Sequence, residues 1–102
     1  MQFMITAYDG TDRDAPARRR NARPRHLENI AKVSERGSVV CAGGITDGEG
    51  RPVGSFLILD FADRETLDAY LAGEPYVTEG VWQEIRVEPC SVVIVNDEMV
   101  GK

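Results

Sequence analysis

The chain predicts an α+β domain in which an antiparallel sheet carries two helices on one face. Three observations lead there. Short apolar, β-prone runs alternate with two segments whose apolar residues recur at helical spacing. The two middle strand runs follow one another across a turn-rich connection only, so the order is β-α-β-β-α-β. The length, 102 residues with 42% hydrophobic and 28% charged content, fits one domain and leaves little room for two.

Taken in order, Phe3 to Tyr8 (FMITAY) reads as the first strand and ends at the Asp9-Gly10 turn signal. Thr11 to Ala17 is polar, contains Pro16 and reads as a loop. Leu27, Ile30, Ala31 and Ser34, with Val33 beside them, then recur at helical spacing, and Arg36-Gly37 supplies a basic last turn and a glycine stop. Pro24 is best tolerated in a first turn, which sets the start of the main helix near Arg23 and leaves Arg18 to Ala22 as a preceding turn or kinked segment. Ser38 to Ile45 (SVVCAGGI) is the second strand, its Gly43-Gly44 pair marking a bulge or a close backbone approach.

Thr46 to Pro52 fits a hairpin connection, and Val53 to Phe61 (VGSFLILDF) is a third strand, apolar on both faces as in a covered central strand. Asp63 caps the second helix, with Thr66 at the third helical position, an apolar face of Leu67, Tyr70 and Leu71, and a stop at Gly73. Glu74 to Gly80 is long enough for one helical turn. Val81 to Val95 holds the last strand, where Pro89 points to an edge or a bulge. Residues 1–95 thus form the domain, and 96–102 a loose polar tail. This order is the ferredoxin-like, or split βαβ, arrangement. Its second sheet face must meet something, and the apolar residues of strands one, three and four suggest a partner's sheet, hence a homodimer.

The net charge of -5 argues against a general nucleic-acid binder, since phosphate neutralisation needs a basic face. Within that acidic chain Arg18, Arg19, Arg20, Arg23 and Arg25 crowd one stretch, either a solvated helix start or a local anion-attracting mouth. No apolar run is long enough to span a membrane, and Met1 to Tyr8 enters a strand pattern without the features of a signal peptide. A reducing cytoplasm is the expected compartment. Cys41 and Cys90 match no metal or CxxC spacing and are expected as small buried hydrophobes, with a disulfide between adjacent strands left open.

His26 is the only histidine, and an imidazole titrating near neutrality is the natural general acid or base. Read from periodicity alone it is a helix-face residue beside Ile30 that packs or caps. Glu74, fixed between Gly73 and Pro75, could orient an imidazole or be an ordinary loop acid. Tyr76 could stack on a planar ligand or pack in the core, and Trp82 could line the same pocket or a dimer contact. One histidine without a second ligand at metal spacing predicts no metal, and the absence of GxGxxG, Walker and GxSxG patterns leaves no cofactor to expect.

Arg23-Pro24-Arg25-His26 resembles the Arg-Pro-x-His segment of YciI-like (YCII-related) proteins. Cys41-Ala42-Gly43-Gly44 is similar to their Ala-Gly-Pro segment, and Glu74-Pro75-Tyr76-Val77 with Gly80-Val81-Trp82 to their Asp-Pro-Tyr-Val and Gly-Val-Tyr pieces. Glu74 stands where that pattern has Asp, one methylene longer, and Gly44 where it often has Pro. The resemblance implies a ferredoxin-like fold paired into a dimeric α/β barrel. It also implies a His-carboxylate pair, His26 and Glu74, doing general acid–base chemistry on a small polar or aromatic molecule without a cofactor. One branch of the family resembles dehydrochlorinases of hydroxylated aromatics. On this reading Arg23 or Arg25 holds an anionic or phenolate group while Tyr76 and Trp82 line an apolar wall. The alternative is a non-catalytic dimeric domain that binds a small ligand or a protein.

Overall fold

The computed structural model describes residues 1–101. Four strands, β1 (Gln2–Asp9), β2 (Val39–Thr46), β3 (Pro52–Asp60) and β4 (Trp82–Cys90), form one antiparallel sheet in the order β2-β3-β1-β4. The helices are α1 (Ala15–Glu35), α2 (Arg64–Ala72) and the single turn α3 (Pro75–Thr78). The α+β, ferredoxin-like arrangement expected from the sequence is the one observed.

Strand alternation sets the layering. Phe3, Ile5 and Ala7 of β1 pair with Leu59, Leu57 and Ser55 of β3, and all six are buried. Ala22 of α1, Leu67 of α2, Tyr76 of α3, Val81 and Trp82 join them in one core. The residues between, Met4, Thr6 and Tyr8, pair with Ile58, Phe56 and Gly54 on the opposite face, where Met4, Tyr8 and Phe56 are exposed. β3 is therefore central, as its apolar run suggested, but it is covered on one face only within a single chain. Gly43 faces Phe56 in the register, and a Cβ there would come within 2.6 Å of the Phe56 ring, so the close approach expected of the Gly43-Gly44 pair is real.

Local signals terminate the elements as expected. Gly37 takes φ 76 just past α1, and Thr66 N–H donates to Asp63 Oδ1 at 2.8 Å to cap α2. Pro89 lies in β4, an edge strand, where a missing N–H is tolerated.

Three expectations are corrected. Helix α1 begins at Ala15, eight residues before Arg23, with Pro16 in its first turn and Pro24 inside it. Pro16 occupies the position that lacks an intrahelical N–H partner anyway, and burial of Arg19 and Ala22 holds the turns that Pro24 alone would weaken. The segment after Val95 folds back as a hairpin of β5 (Ile94–Val95) and β6 (Glu98–Met99), turning through Asn96 and Asp97 at φ 49 and 66. The cysteines are free, Cys41 exposed on β2 and Cys90 half-buried on β4. Those strands are the two opposite edges of the sheet, which forbids an intrachain disulfide.

Candidate active site

α1 and α3 bring the single histidine onto the single-turn helix 48 residues later: His26 Nδ1 hydrogen-bonds Glu74 Oε1. The local fold explains Glu74's aim. Gly73 ends α2, Pro75 opens α3, and Glu74 is the N-cap, its Oε1 accepting from Tyr76 N–H at 3.1 Å. Its other oxygen accepts from Asn29 Nδ2 and from the Tyr70 hydroxyl, both at 2.8 Å. Glu74 is thus fully buried, at 0% exposure, yet surrounded by four donors.

That environment decides its charge. Burial pushes the carboxyl upward, but the hydrogen bond and charge of His26, with the Tyr76 N–H and Asn29, outweigh it and hold Glu74 below the ordinary carboxylate range. Burial, reinforced by the charge and hydrogen bond of Glu74, pushes the Tyr70 phenol far above its ordinary range, so it remains a donor. An ionised carboxylate only accepts, so Nδ1 of His26 carries the hydrogen. In the neutral ring the lone pair is then on Nε2. Among the described residues no hydrogen bond falls on Nε2 and no buried polar side-chain atom lacks a partner, so Nε2 is open to solvent.

The imidazole is clamped as well as aimed. Tyr76 stacks on it with ring centroids 3.9 Å apart and planes 9° from parallel, and Trp82 meets its edge at 5.9 Å. Arg19 Cζ stands 4.9 Å from the Tyr76 ring centre. Arg19 is itself held by both Asp9 oxygens at 2.9 Å and by Ser55 Oγ at 3.0 Å, and Ser55 also accepts from Trp82 Nε1 at 3.1 Å. His26, 9% exposed, looks into a cavity of about 400 Å³ between α1 and strands β2 and β3. Arg19, Arg20, Arg23, Leu27 and Ile30 line it from the helix, and Ala42, Gly43, Gly44, Ser55 and Leu57 from the sheet. A Cβ at Gly44 would stand 3.9 Å from Arg19 Nη2, so glycine there keeps space open before the guanidinium.

Of the residues singled out in the sequence, His26, Glu74, Tyr76 and Trp82 lie together, and Arg23 lines the cavity. Trp82 stands behind Tyr76 rather than on the cavity wall, in edge contact at 5.6 Å. Arg25 points elsewhere, its Nε donating to Glu79 at 2.8 Å. Asn29, Tyr70, Arg19, Asp9 and Ser55 were not singled out. Spacing carried a trace of some: Arg19, His26 and Asn29 fall on one helical face, and Tyr70 is one turn before Glu74. Among the described residues no group of three or more His, Cys, Asp and Glu side chains is arranged to hold a metal, and no helix is long and apolar enough to cross a membrane.

Residues 1–91 match the YCII-related domain. The chain belongs to that family. The YCII-related chain is 28% identical over 95 residues to Protein YciI of Escherichia coli O6:H1, covering 87% of this chain and 95% of that protein. The same figures hold for Protein YciI of Shigella flexneri. Among solved structures it is similar to 5-chloro-2-hydroxyhydroquinone dehydrochlorinase from Burkholderia phenoliruptrix AC1100 in complex with 2,5-dihydroxybenzoquinone. That likeness has a TM-score of 0.78 at 18% identity and covers 88% of this chain and 93% of the other. At that identity the likeness speaks for the fold.

Proposed function

We propose that this YCII-related protein is a cofactor-independent acid–base enzyme acting on a small polar or aromatic molecule by proton abstraction, elimination or isomerisation. The observation that carries the reading is the orientation of His26: Nδ1 is committed to a buried, ionised Glu74 while Nε2 is open at a cavity. Nε2 takes a proton from the substrate. The imidazolium that forms lies against the Glu74 carboxylate and the face of Tyr76, which stabilise the charge without reorganisation. The same ring then returns the proton, or a leaving group departs as the carbon–hydrogen electron pair moves. The solved structure named above is that of a 5-chloro-2-hydroxyhydroquinone dehydrochlorinase, and removal of hydrogen chloride is compatible with this chemistry. Tyr70 and Asn29 hold the far oxygen of Glu74 and keep its near oxygen on the ring.

The first measurement is the tautomer of neutral His26 by long-range ¹H–¹⁵N correlation, which needs no assignment because the chain has one histidine. The expected result is the Nδ1–H form in wild type and a mixture in Glu74→Ala, which leaves Nδ1 without its acceptor. For a substrate found by screening, His26→Gln is expected to lower turnover about 10²- to 10⁴-fold. An Nε2–H ring, or turnover indifferent to both substitutions, would remove the assignment.

We also propose that two chains pair through the sheet face opposite the helices, as a dimeric α/β barrel. Support comes from its composition: Met4, Tyr8, Phe56 and Ile58 form an apolar centre, and Glu84, Arg86 and Glu88 of β4 a charged margin on the same face. Sedimentation equilibrium should give twice the 11.3 kDa chain mass at micromolar concentration, and Phe56→Glu should give monomer. Wild-type monomer would rule the pairing out.

A further inference from the structure

We infer that the cavity before His26 selects an organic carboxylate, with the carboxylate on Arg20 and Arg23 and an apolar body lying along Leu27 and Ile30. This deepens the acid–base reading of the same cavity, on which it rests. The lining holds three guanidinium groups, from Arg19, Arg20 and Arg23, and no Asp or Glu. Arg19 is already neutralised by Asp9. Among the described residues Arg20 and Arg23 have no ion pair and no side-chain hydrogen bond, whereas neighbouring Arg18 is bound to Asp12 and Arg25 to Glu79. The chain has 17 acidic and 12 basic side chains, so free arginines are not forced by any shortage of acids. Two of them stand three residues apart on one helix, beside one cavity.

The order along α1 then fixes the shape of the ligand. Arg20, Arg23, His26, Leu27 and Ile30 all line the cavity, so the helix presents charge, then base, then hydrocarbon. Arg23 and His26 are separated by about 4.5 Å along the axis. A carboxylate on Arg23 and a reacting atom at Nε2 are therefore a few covalent bonds apart in one small molecule. Leu27 and Ile30, facing Ala42 and Leu57 across the cavity, cover the remainder. The guanidinium fork accepts carboxylate and phosphate alike. The apolar half decides for an organic anion, because inorganic phosphate has nothing to place there.

The test uses the whole chain and three probes, benzoate, benzyl alcohol and inorganic phosphate, followed by the His26 ring signals. Benzoate is expected to shift them saturably with Kd on the order of 1 mM, and the other two to bind at least about tenfold more weakly. Arg20→Gln/Arg23→Gln should weaken benzoate by about tenfold or more, since charge-assisted hydrogen bonds are lost. Both residues are exposed and unpaired, so the fold should tolerate the change. Arg13→Gln/Arg36→Gln removes the same charge away from this cavity and should leave binding intact. No saturable benzoate response, benzyl alcohol or phosphate binding as tightly, or benzoate binding that survives the Arg20/Arg23 change would each overturn the inference. Such a failure would leave the acid–base reading standing, because that reading is decided by the His26 tautomer and by turnover.

Discussion

Glu74→Ala is expected to cost about 3–5 kcal/mol of folding stability, far more than its single position in a short turn suggests. Alanine strips the partner from four donors at once. Asn29 and Tyr70 are half-buried and can turn to water, but the hydrogen bonds of the Tyr76 N–H and of His26 Nδ1 to Glu74 are buried. A small domain has about 5–15 kcal/mol in all, so the urea midpoint should fall by about a fifth or more with little change in slope. Glu74→Gln separates charge from shape. Its amide oxygen can keep His26 and Tyr76, while its NH₂ faces Tyr70, whose hydroxyl can accept, and Asn29, whose amide can flip. About half the alanine cost is therefore expected. Equal losses in the two variants would show that the hydrogen-bond network is not what anchors α3.

The same carboxylate gives the difference a pH dependence. Its folded-state pKa lies below the ordinary 4.5. The stability that comes from ionised Glu74 is thus fully present above about pH 4.5 and is lost as pH falls through the depressed folded value. The gap between wild type and Glu74→Ala should close progressively below that pH. Asp12, Asp63 and Glu79 are also depressed, by Arg18, the Thr66 cap and Arg25 respectively. They are present in both proteins and cancel in the comparison.

Much of this architecture was legible because its signals are local. Asp63 with Thr66, Arg36-Gly37 and the Gly43-Gly44 pair each act within a few residues, and the structure uses each one as read. The start of α1 was misread because Pro16 and Pro24 both satisfy the rule for a first helical turn. Only the burial of Arg19 and Ala22, a tertiary fact, selects the earlier one. The site divides the same way. His26 draws attention as the only histidine and Glu74 through its Gly-Pro flanks, but Asn29 looks like an ordinary polar helix residue and Tyr70 like part of the apolar face of α2 until the fold aims them. Arg19 was hidden inside an arginine run that reads as solvated. Its partners, Asp9 on β1 and Ser55 on β3, are visible only once the sheet has formed.

Arg19→Met is expected to destabilise by about 3–5 kcal/mol, and adding Asp9→Asn should restore part of that loss. The side chains of Arg19 and Asp9 are only 10% and 7% exposed, so methionine leaves a carboxylate buried without its cation. It also removes one of the two donors to Ser55 Oγ, the other being Trp82 Nε1. Asparagine then relieves the charge, which is why the double variant should be more stable than Arg19→Met alone. Additive losses would mean that the pair is not coupled. A buried ion pair is weak evidence for stability in itself, since apolar residues of similar volume often do as well. Its value here is positional. Arg19 stands over Tyr76, Tyr76 is stacked on His26, and Arg19 also lines the cavity beside Arg20 and Arg23. Fixing one guanidinium internally sets the ring stack at a defined height and leaves the other two free for an incoming anion. His26 ring signals that move in Arg19→Met, although the hydrogen bonds of Arg19 go to Asp9 and Ser55 and not to the histidine, would demonstrate the linkage.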